Sequence, residues 1–522
     1  MLFFIPAWYK ENTWNEDEQI WYVRREKSEL DETIKQITLF HRNVKQDYRV
    51  LVLGYSPNLR HFLHRQGMFR ASYWSCFDAI AQIRRRKVSV LSYHDMAWPE
   101  GTEFVNSSFA VLAFINGEKY AKVEFGEDGN PISIDMYKEG VICRRNFYDD
   151  RGFVSSTVIF ENGKEKYQDF LTENGTWKLR LFFSDGHVCI NPLSPSYDIE
   201  DGSTVYEILF SKSEYASMSD VVEEVLTEYV KCATKDDRFF VAAHPLHMEV
   251  LKHCLQKERY IVTFFEDRFD YENINKIRDF LIKAEYIITD SKLTSIDVKR
   301  RVGERHLNIM DIPPFDSRVD FGISRELKVQ NILVPIDGIE KSLCGNIILQ
   351  VADYLKKNEF ARAHLFSRNA YLLRNDKCKE ELADFLQKNG FEKEWVIKSP
   401  GDSEKEKVRF FFDICVDERD VSKCINEQRV ILDLRKKMDV YMFITAISKG
   451  VPRISMQKDQ FFEHMKNGYQ IDDCSQIQPA LSYYLDNFEN WNAALISCYE
   501  LSQKYSTDVL LASWRKVLGI VE

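Results

Sequence analysis

The sequence predicts an α/β protein of two Rossmann-like domains, the first interrupted by an antiparallel β-meander. Three observations carry this. Short apolar runs alternate with stretches of helical period from Leu2 to Leu53, and again from Ser217 onward. Between these blocks, Gly117, Gly129, Gly140, Gly152, Gly163, Gly175 and Gly186 recur every 11 or 12 residues; three follow Asn and two follow Asp, as in tight hairpins. Pro313 and Pro314, in Asp311-Ile312-Pro313-Pro314-Phe315-Asp316, block helix and sheet alike and mark a linker.

Composition sets the bounds. A chain of 522 residues is too long for one hydrophobic core, and with 44% apolar and 29% charged residues it should fold ordinarily. The 71 basic residues face 81 acidic ones, a net charge of -10. Arg84-Arg85-Arg86 and Lys299-Arg300-Arg301 are local clusters, so no continuous basic surface supports nucleic-acid binding. The 11 cysteines are scattered, Cys415 and Cys424 being nearest, and no Cys-x-x-Cys occurs. Free thiols in a reducing compartment are expected, with no metal. Met1 opens directly into LFFIPAWY without a basic leader, and no apolar run approaches the ~20 residues that span a bilayer, so a cytoplasmic protein is expected.

Taken in order, Leu2 to Trp8 reads as a first buried strand. Ser28, with Asp31, caps a helix whose face is Leu30, Ile34, Ile37, His41 and Val44; the strand Arg49 to Leu53 ends at Gly54. The next stretch, LGYSPNLRHFLHRQG, is a turn entering a helix and contains no Gly-x-Gly-x-x-Gly. His61 and His64, with Arg60 and Arg65, either meet an anionic or hydroxylated ligand or form a plain surface face. A strand over Lys87 to Tyr93 is followed by about eight meander strands. One sheet face packs and the other carries Tyr137, Arg145, Tyr167 and Trp177; it either holds an extended polypeptide or glycan or only braces the domain.

After Ser217 come a helix over Val221 to Cys232, the strand RFFVAAH and a helix opening at His244-Pro245-Leu246-His247. His244 and His247 lack a third ligand at a recognised spacing, and a strand-end loop facing a cleft is the expected setting. The strand Tyr260 to Phe265, a helix over Ile274 to Lys283, the strand Tyr286 to Thr289 and a helix capped by Asp290-Ser291 lead to the linker. The second domain reads NILVPI, a helix over Leu343 to Lys357, ARAHLFS, a helix over Lys379 to Lys388, WVIK and VRFFFDIC. A β-α-β unit follows: a strand from Val430, a helix over Val440 to Ser448, a break at Gly450 and a strand from Val451 to Met456. Helices over Pro479 to Asn487, Trp491 to Tyr505 and Thr507 to Leu518 close the chain.

Gly450-x-Pro452 after an apolar helix resembles the donor segment of two-domain (GT-B) glycosyltransferases. AEYIITDSKLTSIDVKRR resembles the last strand and helix of their first domain, and Glu463 to Tyr469 the helix and turn after their donor region. The resemblance implies a GT-B-like fold: 1–100 with 213–325 as first domain, 101–212 as inserted sheet, 326–490 as second domain, and 491–522 crossing back. Retaining enzymes of this kind carry a Glu-x7-Glu pair whose positions fall here on Lys437 and Thr445. A ribose diol is held by a carboxylate that accepts two hydrogen bonds; lysine only donates and threonine offers one hydroxyl. Of the loops matching phosphate loops, Pro335 to Lys341 and Ser367-Arg368-Asn369, the second lacks glycine; Lys341 and Arg368 are the side chains placed to meet an anion. The expectation is a pocket retained and a chemistry lost, with no catalytic residue and no cofactor.

LFFIPAWY, LGYSPNLRHFLHRQG and PPFDSRVDFGIS together resemble the component-one Asp family of accessory Sec system proteins. The resemblance covers essentially the whole chain. It implies a non-catalytic protein that works with the second and third accessory secretory proteins, the accessory SecA ATPase and a serine-rich glycoprotein adhesin as cargo, reaching the inner face of the membrane through the motor. His61, His64, Tyr137, Trp177, His244 and His247 are then the candidate cargo contacts. The alternative is an active retaining glycosyltransferase that moves sugar from a UDP-sugar to a serine-rich adhesin.

Overall fold

A computed structural model describes residues 1–16, 31–43, 46–303, 307–369, 376–397 and 407–520. The chain forms two compact units: Met1–Arg24, Phe40–Thr263 and Glu272–Ile287 in one, Arg25–Leu39, Phe264–Tyr271 and Ile288–Glu522 in the other. The expected cap at Ser28 and the face positions Leu30 and Val44 lie outside the described residues. Within the helix Glu32–Asn43, Ile34, Ile37 and Phe40 are buried, whereas His41, expected on that face, is exposed.

The first strands are β1 (Leu2–Ile5), β2 (Tyr48–Val52) and β3 (Tyr73–Ser75). The meander follows as β4 (Thr102–Asn106), β5 (Val111–Ile115), β6 (Glu118–Phe125), β7 (Pro131–Lys138), β8 (Val141–Asp149), β9 (Phe153–Glu161), β10 (Lys164–Leu171), β11 (Trp177–Phe182) and β12 (Val188–Ile190). A hairpin, β13 (Ser196–Asp201) and β14 (Thr204–Leu209), and the short β15 (Glu214–Tyr215) precede β16 (Arg238–Ala242), β17 (Arg259–Phe264), β18 (Tyr286–Thr289) and β19 (Ile309–Asp311). Sheet order is β19-β18-β17-β16-β1-β2-β3, and β1 pairs in parallel with both β2 and β16. Phe3 stacks on Phe239 and Phe4 on Phe240 across that central pair, at 4.9 and 4.7 Å between ring centroids.

The expected strand over Lys87 to Tyr93 does not form, and β3 is instead the third strand. Ser75 ends β3 by accepting a hydrogen bond from Asp78 N as cap of the helix Cys76–Ile80. Val88 and Val90 are exposed, while Leu91, Tyr93, Met96 and Trp98 lie on the meander core formed by Val111, Ala113, Ala121, Val123, Ile134 and Tyr148. The alternation in KVSVLSY thus marks no ladder: Lys87 to Val90 are exposed, and only Leu91 and Tyr93 begin the segment that covers the meander core.

All seven rhythmic glycines have positive φ, which glycine adopts at little cost. The sheet they punctuate has ten strands, order β15-β12-β11-β10-β9-β8-β7-β6-β5-β4, two more than expected. Register corrects the expected face as well. Arg145 pairs with Val158 and Tyr167 with the adjacent Ile159, so Arg145 and Tyr167 point to opposite sides. The row Val111–Val123–Ile134, in the meander core, continues on the same side as Asn146, Thr157, Asp169 and Arg180. At the other end of the sheet, the opposite side is the buried one: Phe170 packs on Tyr55 and Phe77, and Ser155 and Ser156 bond the Tyr55 hydroxyl.

The second unit contains β20 (Gln330–Pro335), β21 (Ala361–Ser367), β22 (Phe410–Ile414), β23 (Gln428–Asp433), β24 (Arg453–Ser455) and β25 (Gly468–Gln470). They form a parallel sheet in the order β22-β21-β20-β23-β24-β25. Ile332, Val334, Val430 and Leu432 enter one core cluster, Leu333 and Ile431 another, so both faces are covered and the strands read as unbroken apolar runs. Two expectations fail here. In WVIK, Lys393–Trp395 is a 3-10 turn and Val396 makes a single bridge to Phe410; Lys398 lies outside the described residues. Glu463 to Tyr469 is a turn leading into β25 rather than a helix. A Cβ at Gly468 would stand 2.2 Å from the Phe462 ring and 2.9 Å from the Arg453 carbonyl oxygen, so close strand packing decides that segment. The closing helices are Ile477–Leu485, Phe488–Gln503 and Thr507–Leu518.

Candidate functional site

The β-α-β unit folds as its pattern implies: β23, the helix Val440–Lys449, and β24 paired in parallel with β23. Gly450 ends the helix in the left-handed conformation at φ 73. A helix N-terminus beside the carboxyl end of a parallel strand offers free N–H groups and a positive dipole end to an anion. Here the chain supplies the anion itself. Asp439 caps the helix, accepting from Met442 N at 2.9 Å, and the same carboxylate takes a bidentate grip from Arg368 at 3.0 and 3.0 Å. Arg435 stands 3.8 Å from Asp439 and binds Asp433 at 2.9 and 2.8 Å.

All four charged side chains are buried. Burial alone pushes the Asp439 carboxyl up; the Arg368 and Arg435 guanidiniums outweigh it and hold the group below the usual carboxylate range. A third carboxylate completes the pattern. Asp337, in the loop after β20, accepts from Ser367 Oγ at 2.5 Å and from Arg368 N at 2.7 Å. That backbone N–H follows a β-strand, where a phosphate loop would present its donors.

The anticipated donor positions are thus accounted for one by one. Arg368 is committed to Asp439. Lys341 is exposed at the start of the helix Lys341–Lys357. Lys437 is half-exposed and pairs with Asp267 at 2.8 Å and Glu266 at 3.6 Å. Thr445 is buried in mid-helix beside Tyr441, whose hydroxyl donates to the Glu418 carbonyl at 3.1 Å. Asp337, Asp433, Arg435 and Asp439 were missed by sequence reasoning. Only Asp439 left a signal: an aspartate directly before an apolar helical run is an N-cap.

The candidate cargo contacts are dispersed. Both ring nitrogens of His247 are engaged in the interior: Nε2 donates to the Ala242 carbonyl at 2.7 Å, so Nδ1 accepts from the Tyr9 hydroxyl at 2.9 Å. His244 is a buried helix cap that accepts from Leu246 N at 3.1 Å. These two histidines serve the fold rather than a surface. His61 lies 3.6 Å from Asp128, and His64 is exposed against the Phe69 ring. Arg60, grouped with them above, is buried. It binds Asp150 at 2.5 Å and Asp149 at 3.2 Å, while Arg151 binds Asp149 and Asp78, both at 2.7 Å. This cluster docks the β8–β9 turn of the meander onto the LGYSPNLRHF segment. Arg65 pairs with Glu127 at 3.0 Å.

Two candidates stay on the sheet. The Lys119 ammonium lies 3.7 Å from the Tyr137 ring centroid. Arg180 lies between Tyr167 and Trp177, 4.0 and 5.0 Å from their centroids, and pairs with Asp169 at 2.6 and 2.9 Å. Among the described residues, no group of histidine, cysteine and acidic side chains could hold a metal, and no helix is long and apolar enough to cross a membrane.

Comparison with known proteins agrees with this architecture. A family model described as accessory Sec system protein Asp, component one, matches residues 1–520. A protein of that description from Streptococcus gordonii is 31% identical, covering 99% of both chains. The structure of accessory secretory proteins 1, 2 and 3 in Streptococcus pneumoniae includes a chain 28% identical, with TM-score 0.78 and 99% of both chains covered. The pneumococcal O-GlcNAc transferase GtfA, solved with UDP and GlcNAc, is 13% identical at TM-score 0.71, covering 99% of this chain and 98% of that one; it shares the GT-B fold alone.

Proposed function

Because the chain belongs to the accessory Sec system protein Asp family, component one, we propose that it is a non-catalytic GT-B-like component of accessory secretion. In this reading it assembles with the second and third accessory secretory proteins, as its pneumococcal relative does. It assists export of a serine-rich glycoprotein adhesin and meets the accessory SecA ATPase at the cytoplasmic face of the membrane. The domain division that goes with the proposal is 1–100 with 213–325, 101–212, 326–490, and 491–522 crossing back. The aromatic and charged strip Tyr167–Arg180–Trp177 on the inserted sheet is the cargo surface we favour, with Tyr137, His61 and His64 as further contacts.

The observation that supports loss of catalysis is the Arg368–Asp439 pair. An active donor site keeps its guanidinium and helix N-terminus open to a diphosphate, and here one carboxylate takes both. Lys437 and Thr445 point the same way, since neither can accept two hydrogen bonds from a ribose. Calorimetric titration with a panel of UDP-sugars should give no heat of binding, and incubation with an adhesin acceptor no transfer. Turnover with any of them would restore the active retaining transferase as the better reading.

The assembly has its own test. Co-expressed with its two sister proteins, a tagged chain should carry both through affinity and size-exclusion steps. Elution alone after co-expression would remove the secretory role.

A further inference from the structure

The buried charges at the head of the helix Val440–Lys449 have a composition that a structural ion pair does not require. One carboxylate, Asp439, receives the helix N–H of Met442, both ends of the Arg368 fork and, at 3.8 Å, the Arg435 guanidinium. Three positive groups converge on it, from the helix start, from the end of β21 and from the turn after β23. A tetrahedral oxyanion has the valence to satisfy such a set; a single cap does not need it. Asp433, Asp439 and, at the edge of the cluster, Asp337 face the two guanidiniums; removing Asp439 takes away the one carboxylate that the Arg368 fork and the helix N–H of Met442 share.

We propose that Asp439 is an intramolecular substitute for a phosphate, and that removing its side chain turns the cluster into a binding site for inorganic phosphate or pyrophosphate. This rests on the reading that the donor segment is closed, and deepens it by naming the group that closes it. Asp439→Gly is the variant to make, because glycine is itself an acceptable N-cap and frees the most space.

The thermal midpoint of Asp439→Gly is followed with pyrophosphate, phosphate, formate or chloride at matched ionic strength. Phosphate or pyrophosphate at tenfold its dissociation constant should raise the midpoint by roughly 3 °C, while the unsubstituted protein moves by less than about 1 °C. The double variant Asp439→Gly with Arg368→Met should lose the response. If the glycine variant does not fold in dilute buffer, its refolding yield with and without pyrophosphate is the readout. Equal shifts in both proteins, no shift, or a response to formate alone would overturn the proposal. UDP-sugar binding by the unsubstituted protein would instead overturn the closed-donor reading, so the two failures are distinct.

Discussion

Replacing Arg60 with leucine is expected to destabilise the first unit by about 3–5 kcal/mol, read from chemical denaturation. The size follows from what remains: of the two buried carboxylates, Asp150 loses the guanidinium that pairs with it and Asp149 keeps that of Arg151. Burial alone pulls Arg60 down, and Asp149 and Asp150 outweigh it, so the side chain stays charged in the interior. Asp150 also accepts from the backbone N–H groups of Arg60 and His61 at 2.9 and 3.0 Å, so the loss reaches the start of the helix Leu59–Arg65. A double-mutant cycle with Asp150→Asn should show strong coupling, because the single changes remove the same contact. A loss below about 1 kcal/mol would mean that the meander docks by apolar packing alone.

The second large effect is expected from Arg368→Leu, and it should depend on pH. Asp439 has a folded-state carboxyl held below its ordinary value, chiefly by Arg368 against the cost of burial. A lowered carboxyl contributes stability above the unfolded carboxylate range, about pH 4, and loses it as pH falls below that range. Without Arg368 the buried carboxyl shifts upward, takes a proton more readily and ceases to contribute. The gap between the two proteins should be about 3–5 kcal/mol at pH 7 and shrink as the pH is lowered toward 4 and below. Denaturation midpoints across that range decide it; a gap constant with pH would refute the assignment to Asp439.

The legible parts of the sequence were those in which neighbouring residues carry the information. The glycine rhythm marked the hairpins because Asn-Gly and Asp-Gly dipeptides set turn geometry locally. The β-α-β unit from Val430 was legible because an apolar strand, an apolar helix and Gly450 follow without interruption. β3 and β15 escaped because three and two residues cannot display alternation. The stretch Lys87 to Tyr93 mimicked a strand because apolar and polar residues alternate in its sequence, yet Lys87 to Val90 are exposed and only Leu91 and Tyr93 reach the core. The site itself was half-legible. Arg368 was singled out as a cation placed to meet an anion, but the partner that claims it lies 71 positions away. No pattern along the chain encodes a contact of that span. His244 and His247 misled for a related reason: their spacing suggested an outward function, while the Ala242 carbonyl and the helix start had already engaged them.

The meander buries one side at its distal strands and the other side where it meets the rest of its unit. The cover over the distal strands is the very segment of chain that leads into them. A pull along that lead-in would therefore strip the far strands of their lining before it disturbed the near ones, which are riveted through Arg60 and Arg151. The inserted sheet thus possesses, by connectivity alone, one compliant end and one rigid end.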